Sequence, residues 1–153
     1  MRAVVQRVKW GSVTIDGGQV GSCGPGLVLL VAAGKDDTSD NAKKMADRVW
    51  GMRIFPDSEG KMNLKLADFE AESGTGSDRA NILAVSNFTV YGDATQRRPS
   101  FGGAAGFESG RELFDTFVEE LKRLGARVET GVFGADMQVE LSNDGPVTLV
   151  AEA

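Results

Sequence analysis

The sequence of 153 residues contains no histidine. That absence removes Ser-His-Asp and Cys-His catalysis, imidazole acid–base chemistry and histidine-ligated zinc together. A lone cysteine, Cys23, excludes an internal disulfide and, without histidine beside it, a thiolate metal site. It suits a reducing compartment and reads as a small buried residue, since a nucleophile wants a base beside it. No apolar run nears the ~20 residues of a membrane-spanning helix. The longest, residues 26–33, has the length of a strand. Residues 1–5 hold no apolar stretch long enough for a signal peptide, so a cytoplasmic protein with no membrane partner is expected. Positive charge is short as well. Seventeen Lys and Arg against 22 Asp and Glu leave a net charge of −5. That balance argues against a broad basic face for nucleic acid, although a local patch can oppose the whole-molecule value. Catalysis, if present, falls to carboxylates, hydroxyls, lysines, main-chain groups or the substrate itself.

What is present suits one ordinary domain, residues 1–153, with 41% hydrophobic residues to build its core. Residues 2–10 are β-branched and roughly alternating, which predicts a strand. Residues 12–15 predict a second strand, Asp16-Gly17-Gly18 a hairpin turn, and 19–22 its return. The continuous apolar run 27–33 predicts a strand buried on both faces. Thr38 or Asp40 caps a helix running to about Met52, with Ala42, Met45, Ala46 and Val49 inward. Residues 53–55 and 61–66 read as short strands around a turn. Residues 68–79 read as a mobile surface loop, rich in Gly, Ser, Asp and Glu. Residues 81–91 predict the strongest strand, wholly apolar at first and then mixed with Ser86, Asn87 and Thr89. Polar groups entering a central strand are costly unless bonded, so a site is plausible at that end. Residues 92–106 hold the most basic short stretch, Gln96-Arg97-Arg98-Pro99-Ser100-Phe101. Residues 108–124 predict the clearest helix, with Leu113, Phe114, Phe117, Val118 and Leu121 on one face. Strands follow at 126–132, 137–141 and 146–151.

Asn143-Asp144-Gly145-Pro146-Val147-Thr148 stands out. Proline cannot donate to a ladder and restricts the residue before it. Glycine lets another group approach closely. Composition alone predicts a hairpin turn between 137–141 and 147–151; the sharper alternative is a rigid backbone probe aimed at a ligand. The order of elements predicts an α+β fold: curved, barrel-like mixed or antiparallel sheets with two main helices packed outside.

Several segments, in order along the chain, resemble the D-aminoacyl-tRNA deacylase family. They are Val5-Gln6-Arg7-Val8, Gly60-Lys61-Met62-Asn63, Ser86-Asn87-Phe88-Thr89-Val90-Tyr91, Arg98-Pro99-Ser100-Phe101, Thr130-Gly131, Phe133-Gly134-Ala135, Met137 and Asn143 to Thr148. Each alone is weak; the ordered set is specific. The resemblance implies hydrolysis of the ester between a D-amino acid and the terminal adenosine of tRNA, and clearance of some mischarged glycyl-tRNA. It implies a homodimer with the active site at the interface, and no cofactor or metal. The family's Ser-Gln-aromatic-Thr-Leu strand end corresponds to Ser86, Phe88 and Thr89, with Asn87 in place of the usual Gln and Val90 in place of the usual Leu. Its Gly-cisPro pair, inserted from the partner subunit to select chirality, corresponds to Gly145 and Pro146. Main-chain N–H groups around Phe88 and Thr89 would hold an oxyanion, and the Thr89 hydroxyl would act as a nucleophile or position substrate, the second being favoured. Arg7 would brace the Gly-Pro segment, Phe133 and Met137 would line the pocket, and Arg97 and Arg98 would form a basic rim for tRNA. Two other readings stay open: a non-catalytic RNA-binding relative, and an esterase or amidase acting on small D-amino-acid conjugates.

Overall fold

The computed structural model describes residues 1–76 and 78–153. The chain runs β1 (Arg2–Ile15), β2 (Gly18–Cys23), β3 (Gly26–Ala32), α1 (Ser39–Trp50), β4 (Phe55–Pro56), β5 (Met62–Leu64), α2 (Leu66–Ser73), β6 (Ile82–Ser86), a 3-10 turn (Phe88–Tyr91), α3 (Phe107–Arg123), β7 (Val128–Thr130) and β8 (Gln138–Glu152). The architecture is α+β, as expected, with a mixed sheet that curls almost into a barrel.

β1 is one 14-residue strand, not the two that its Gly11 suggested. Antiparallel β8 runs beside almost all of it. Its other edge meets β3 over residues 2–8 and β2 over residues 11–15. From β3 the sheet continues through parallel β6 and β7. Curling then brings β7 back to β2. There the N–H of Ser22 donates to the Glu129 carboxylate at 2.6 Å. Gly21 lies so near β7 that a Cβ on it would sit 2.5 Å from the Thr130 carbonyl oxygen.

The two faces of this sheet carry separate cores. On the outer face, Leu27, Leu29, Val31, Ile82 and Ala84 pack against Met45 and Val49 of α1 and against Phe114, Phe117 and Leu121 of α3. On the inner face, Val8, Val13, Cys23, Val28, Leu83 and Val85 pack together, with Val139 and Leu141 of β8 against them. Alternation along β3 and β6 therefore feeds both cores, which is why these strands read as unbroken apolar runs.

Thr38 caps α1: the Asn41 side-chain oxygen accepts from both its N–H (2.9 Å) and its hydroxyl (2.8 Å). The segment expected as a surface loop at 68–79 is helical through Ser73, so that expectation is corrected; residue 77 lies outside the described residues. Non-local contacts hold this helix. Glu70 accepts from Arg127 Nη2 at 2.6 Å and from buried Asn81 at 3.0 Å. Local propensity does not report partners 57 and 11 residues away. The two main helices, α1 and α3, are thus joined by a short third one beside β4 and β5. Among the described residues, no helix is long and apolar enough to cross a membrane.

Candidate active site

Parallel strands leave their carboxyl ends on one side of a sheet, and crevices form there. In this chain the end of β6 is the centre of such a crevice. The strand was expected to run to Tyr91; it stops at Ser86 and turns into the 3-10 helix. Asn87 is the cause. Its N–H makes a last bond to the Val31 carbonyl at 2.8 Å. Its side-chain oxygen accepts from the N–H of Thr89 at 3.1 Å and from the Thr89 hydroxyl at 2.5 Å. Such local side-chain bonds compete with a β-ladder and win at a strand end. They also decide which donors remain. The Thr89 N–H is engaged, whereas the Phe88 N–H opens the turn, where helical geometry offers it no acceptor. The pair of donors expected around Phe88 and Thr89 is thus reduced to Phe88. The Phe88 ring is 58% exposed and meets Phe101 edge-on at 5.2 Å, which ties the 92–106 loop to this end of β6.

A cavity of about 730 Å³ opens beside the turn. That is within the range of small-ligand pockets. Of the residues singled out from the sequence, Ser86, Asn87, Phe88, Phe133 and Met137 line it. Thr89, Arg7, Gly145, Pro146, Arg97 and Arg98 do not. The walls are largely apolar: Leu30, Val85, Val139 and Leu141 on the sheet side, Phe107 and Phe114 on the helix side. Met1 was not foreseen as a lining residue. Its ammonium group is held by the Ala153 carbonyl and by the Asp37 carboxylate at 2.8 Å, and the residue itself is buried in the outer core. Phe107 and Arg111 were missed too. The Arg111 guanidinium lies 5.4 Å from the Phe107 ring centre and 5.6 Å from that of Phe133. Only the placement of Phe133 in the fold reveals this cluster.

The Gly145–Pro146 segment sits on the far edge of β1. It is not a hairpin turn. Both flanks belong to one strand, β8, and both pair with β1: Thr148 opposite Gln6 and Asn143 opposite Val8. Four residues, 144–147, therefore stand against the single residue Arg7. The composition of a turn has made a large bulge. Asn143 closes its base, accepting from the N–H of Val147 and donating to the Thr148 hydroxyl, both at 2.8 Å. Arg7 fills its inside. Its Nε donates to the Asp144 carbonyl at 3.0 Å and its Nη1 to the Ile54 carbonyl at 2.6 Å. Gly145 has φ +133°, the Gly145–Pro146 peptide is cis as the resemblance implied, and both residues are exposed. A Cβ at Gly145 would lie 2.8 Å from the Val147 side chain and 3.1 Å from Arg7.

Arg97 and Arg98 are exposed on the 92–106 loop, whose ends are joined where Asp93 and Ser100 exchange main-chain hydrogen bonds of 2.8 and 3.0 Å. A family model described as D-Tyr-tRNA(Tyr) deacylase matches residues 4–152, nearly the whole chain. The chain belongs to the D-Tyr-tRNA(Tyr) deacylase family. Curated members of this deacylase group include proteins of Fervidobacterium nodosum and Desulforamulus reducens, both called D-aminoacyl-tRNA deacylase. Each is 46% identical over 154 residues, spanning 100% of this chain and 97% of the relative. Among solved structures, a c-Myc DNA Unwinding Element Binding Protein superposes with a TM-score of 0.88 at 32% identity, covering 100% of this chain and 99% of the other. A probable eukaryotic D-amino acid tRNA deacylase superposes at 0.78 with 18% identity, covering 99% and 98%, a likeness of fold. The deacylase family thus spans both the cavity at the end of β6 and the bulge on β8.

Proposed function

We propose that this protein hydrolyses the ester of D-aminoacyl-tRNA, and of mischarged glycyl-tRNA, acting in the cytoplasm where tRNA is charged. The observation that carries the reading is the end of β6. There Ser86, Asn87 and Phe88 line an apolar cavity of about 730 Å³, room enough for an aminoacylated adenosine. An aminoacyl ester is already activated. Its carbonyl needs a donor for the developing negative charge, which the Phe88 N–H supplies. The described residues lining the cavity include no carboxylate or lysine, so the 2′-hydroxyl of the terminal ribose assists attack by water. Thr89 positions: its hydroxyl proton points at the Asn87 carboxamide, which is no base. The missing histidine is then no obstacle.

Chirality is read by the bulge on β8. Gly145 and Pro146 stand out from the strand, and Arg7 holds them from behind. Their main chain, set beside the substrate's α-carbon, collides with an L side chain and leaves a D side chain room. Glycine, with no side chain, passes. Neither residue lines the cavity of its own chain. A second copy supplies them, and the working unit is a homodimer with the site at its interface. β8 favours this, since it is an edge strand that leaves Leu149 at 40% and Val150 at 66% exposed. Arg97 and Arg98 provide a local cationic rim for tRNA on an otherwise acidic molecule.

The test is to offer purified protein D-tyrosyl-tRNA and L-tyrosyl-tRNA and follow hydrolysis. Preferential cleavage of the D ester is expected; equal rates would end the chiral reading. Sedimentation at micromolar concentration should give twice the 16.2 kDa chain mass. Replacing both Arg97 and Arg98 with Ala should weaken tRNA binding, most visibly at low salt.

A further inference from the structure

We propose that Arg111 binds the phosphate joining the terminal adenosine to the rest of the tRNA. The inference rests on the deacylase reading of the cavity and adds a contact outside its apolar walls. α3 begins at Phe107, so Arg111 lies one turn in, next to Gly110, which lines the cavity. Phe107 and Phe133 also line it and meet edge-to-face at 5.2 Å with 79° between their planes. The guanidinium carbon of Arg111 lies 5.4 Å from the centre of one ring and 5.6 Å from that of the other.

This placement is a choice. Glu108 and Asp115 stand three and four residues away on the same helix, the spacing at which side chains pair. Yet the ion pairs among the described residues do not include Arg111. The guanidinium instead lies against two rings that line the cavity. Main-chain packing fixes the platform: a Cβ on Gly134 would come within 2.6 Å of the Phe107 ring, so the 133–134 backbone is pressed against it. A planar fork of donors held beside a nucleoside-sized cavity suits the two oxygens of a phosphodiester. In a chain of net charge −5, such a contact must come from a local cation. Arg2 and Arg7 bond main-chain carbonyls elsewhere, and Arg97 and Arg98 stand on a separate loop.

The experiment compares wild type, Arg111→Gln and Arg111→Lys on two substrates: D-tyrosyl-tRNA, and 3′-O-(D-tyrosyl)adenosine, which lacks the phosphate. For Arg111→Gln on the tRNA, KM should rise roughly three- to fivefold, the weight of one exposed charge contact, with kcat unchanged. The slope of log(kcat/KM) against log salt should fall by about 0.7 to 1. Arg111→Lys should recover part of the KM and the slope. All three proteins should cleave the adenosine ester alike. An unchanged KM and salt slope overturns the proposal. Equal losses on both substrates also overturn it, because Arg111 would then act by packing the rings. A wild type inactive on both substrates would instead sink the active-site reading, and this contact with it.

Discussion

Arg7→Lys separates a bracing role for this side chain from simple charge. The guanidinium bonds two carbonyls that belong to different parts of the chain, Asp144 at 3.0 Å and Ile54 at 2.6 Å. A single ammonium keeps the charge and cannot serve both from one fork. Each charge-assisted bond is worth about 1.5–3 kcal/mol, and a carbonyl left unpaired in a buried place adds to the loss. Ile54 is buried and Asp144 half-buried, so water reaches only the second after truncation. Arg7→Lys should therefore cost about 1–1.5 kcal/mol and Arg7→Ala about 2–3 kcal/mol. Urea unfolding reads this as a lower midpoint with an unchanged m-value. Function should suffer more steeply. A displacement near 1 Å in a positioning element can cost about a hundredfold in rate. Hydrolysis of D-tyrosyl-tRNA by Arg7→Ala should thus fall at least tenfold (~1.4 kcal/mol), and its preference for D over L should shrink. If Arg7→Lys matched wild type in midpoint and rate, the two-carbonyl brace would be wrong. If Arg7→Ala lost stability yet kept full chiral preference, the bulge would be rigid without it.

Gly145→Ala should cost about 2–3 kcal/mol, from a positive φ plus contacts of 2.8 and 3.1 Å. Gly17→Ala, at φ +79° in open space, should cost about 1 kcal/mol, and equal melting temperatures for the two variants would contradict the crowding at the bulge. Asn87→Ala removes the oxygen that holds Thr89 by two bonds. It should lower kcat clearly while costing about 1 kcal/mol of stability, as loss of a cap does, and an unchanged kcat would dismiss the turn from the mechanism. Burial pushes the Cys23 thiol up from 9.0 to about 11. The folded state then holds the proton more tightly than the unfolded one. Stability should be intact below pH 9 and fall between about 9 and 11, by up to roughly 2–3 kcal/mol. Cys23→Ala should flatten that alkaline decline in urea midpoints, and an unaltered profile would show that another group sets it.

Much of the fold could be read from residues that speak locally. The runs at β3 and β6, a cap at one of Thr38 and Asp40, and the apolar stripe of α3 each answer to near neighbours and are legible in the sequence. What escaped depends on distance along the chain. α2 offers one fully buried residue, Leu66, and takes its place from Arg127 and Asn81. The bulge has the composition of a hairpin turn, Asn-Asp-Gly-Pro. The side chain that makes it something else is Arg7, 137 residues earlier. Asn87 entered only as a replacement for the family's Gln, whereas in the fold its side-chain oxygen turns back onto Thr89 and ends the strand. Motif matching singled out Ser86, Asn87 and Phe88, which line the cavity, and Thr89, Gly145 and Pro146, which do not. It passed over Arg111 and Phe107, whose interest arises from the placement of Phe133.

The bulge on β8 also changes the phase of its strand. Four residues facing one means three extra, an odd number. Side chains alternate with period two, so an odd insertion swaps the sides of everything beyond it. Val139 and Leu141 lie on the inner core, while Val147 and Ala151, of the same odd numbering, lie on the outer one. One edge strand can therefore seal the inside of the curl at its start and the floor beneath the helices at its end. Shortening the bulge by two residues would preserve that handover, whereas removing one or three would turn Val147 and Ala151 out of their core. The segment proposed to select chirality is thus also the half-step that lets a single strand belong to both sides of the protein.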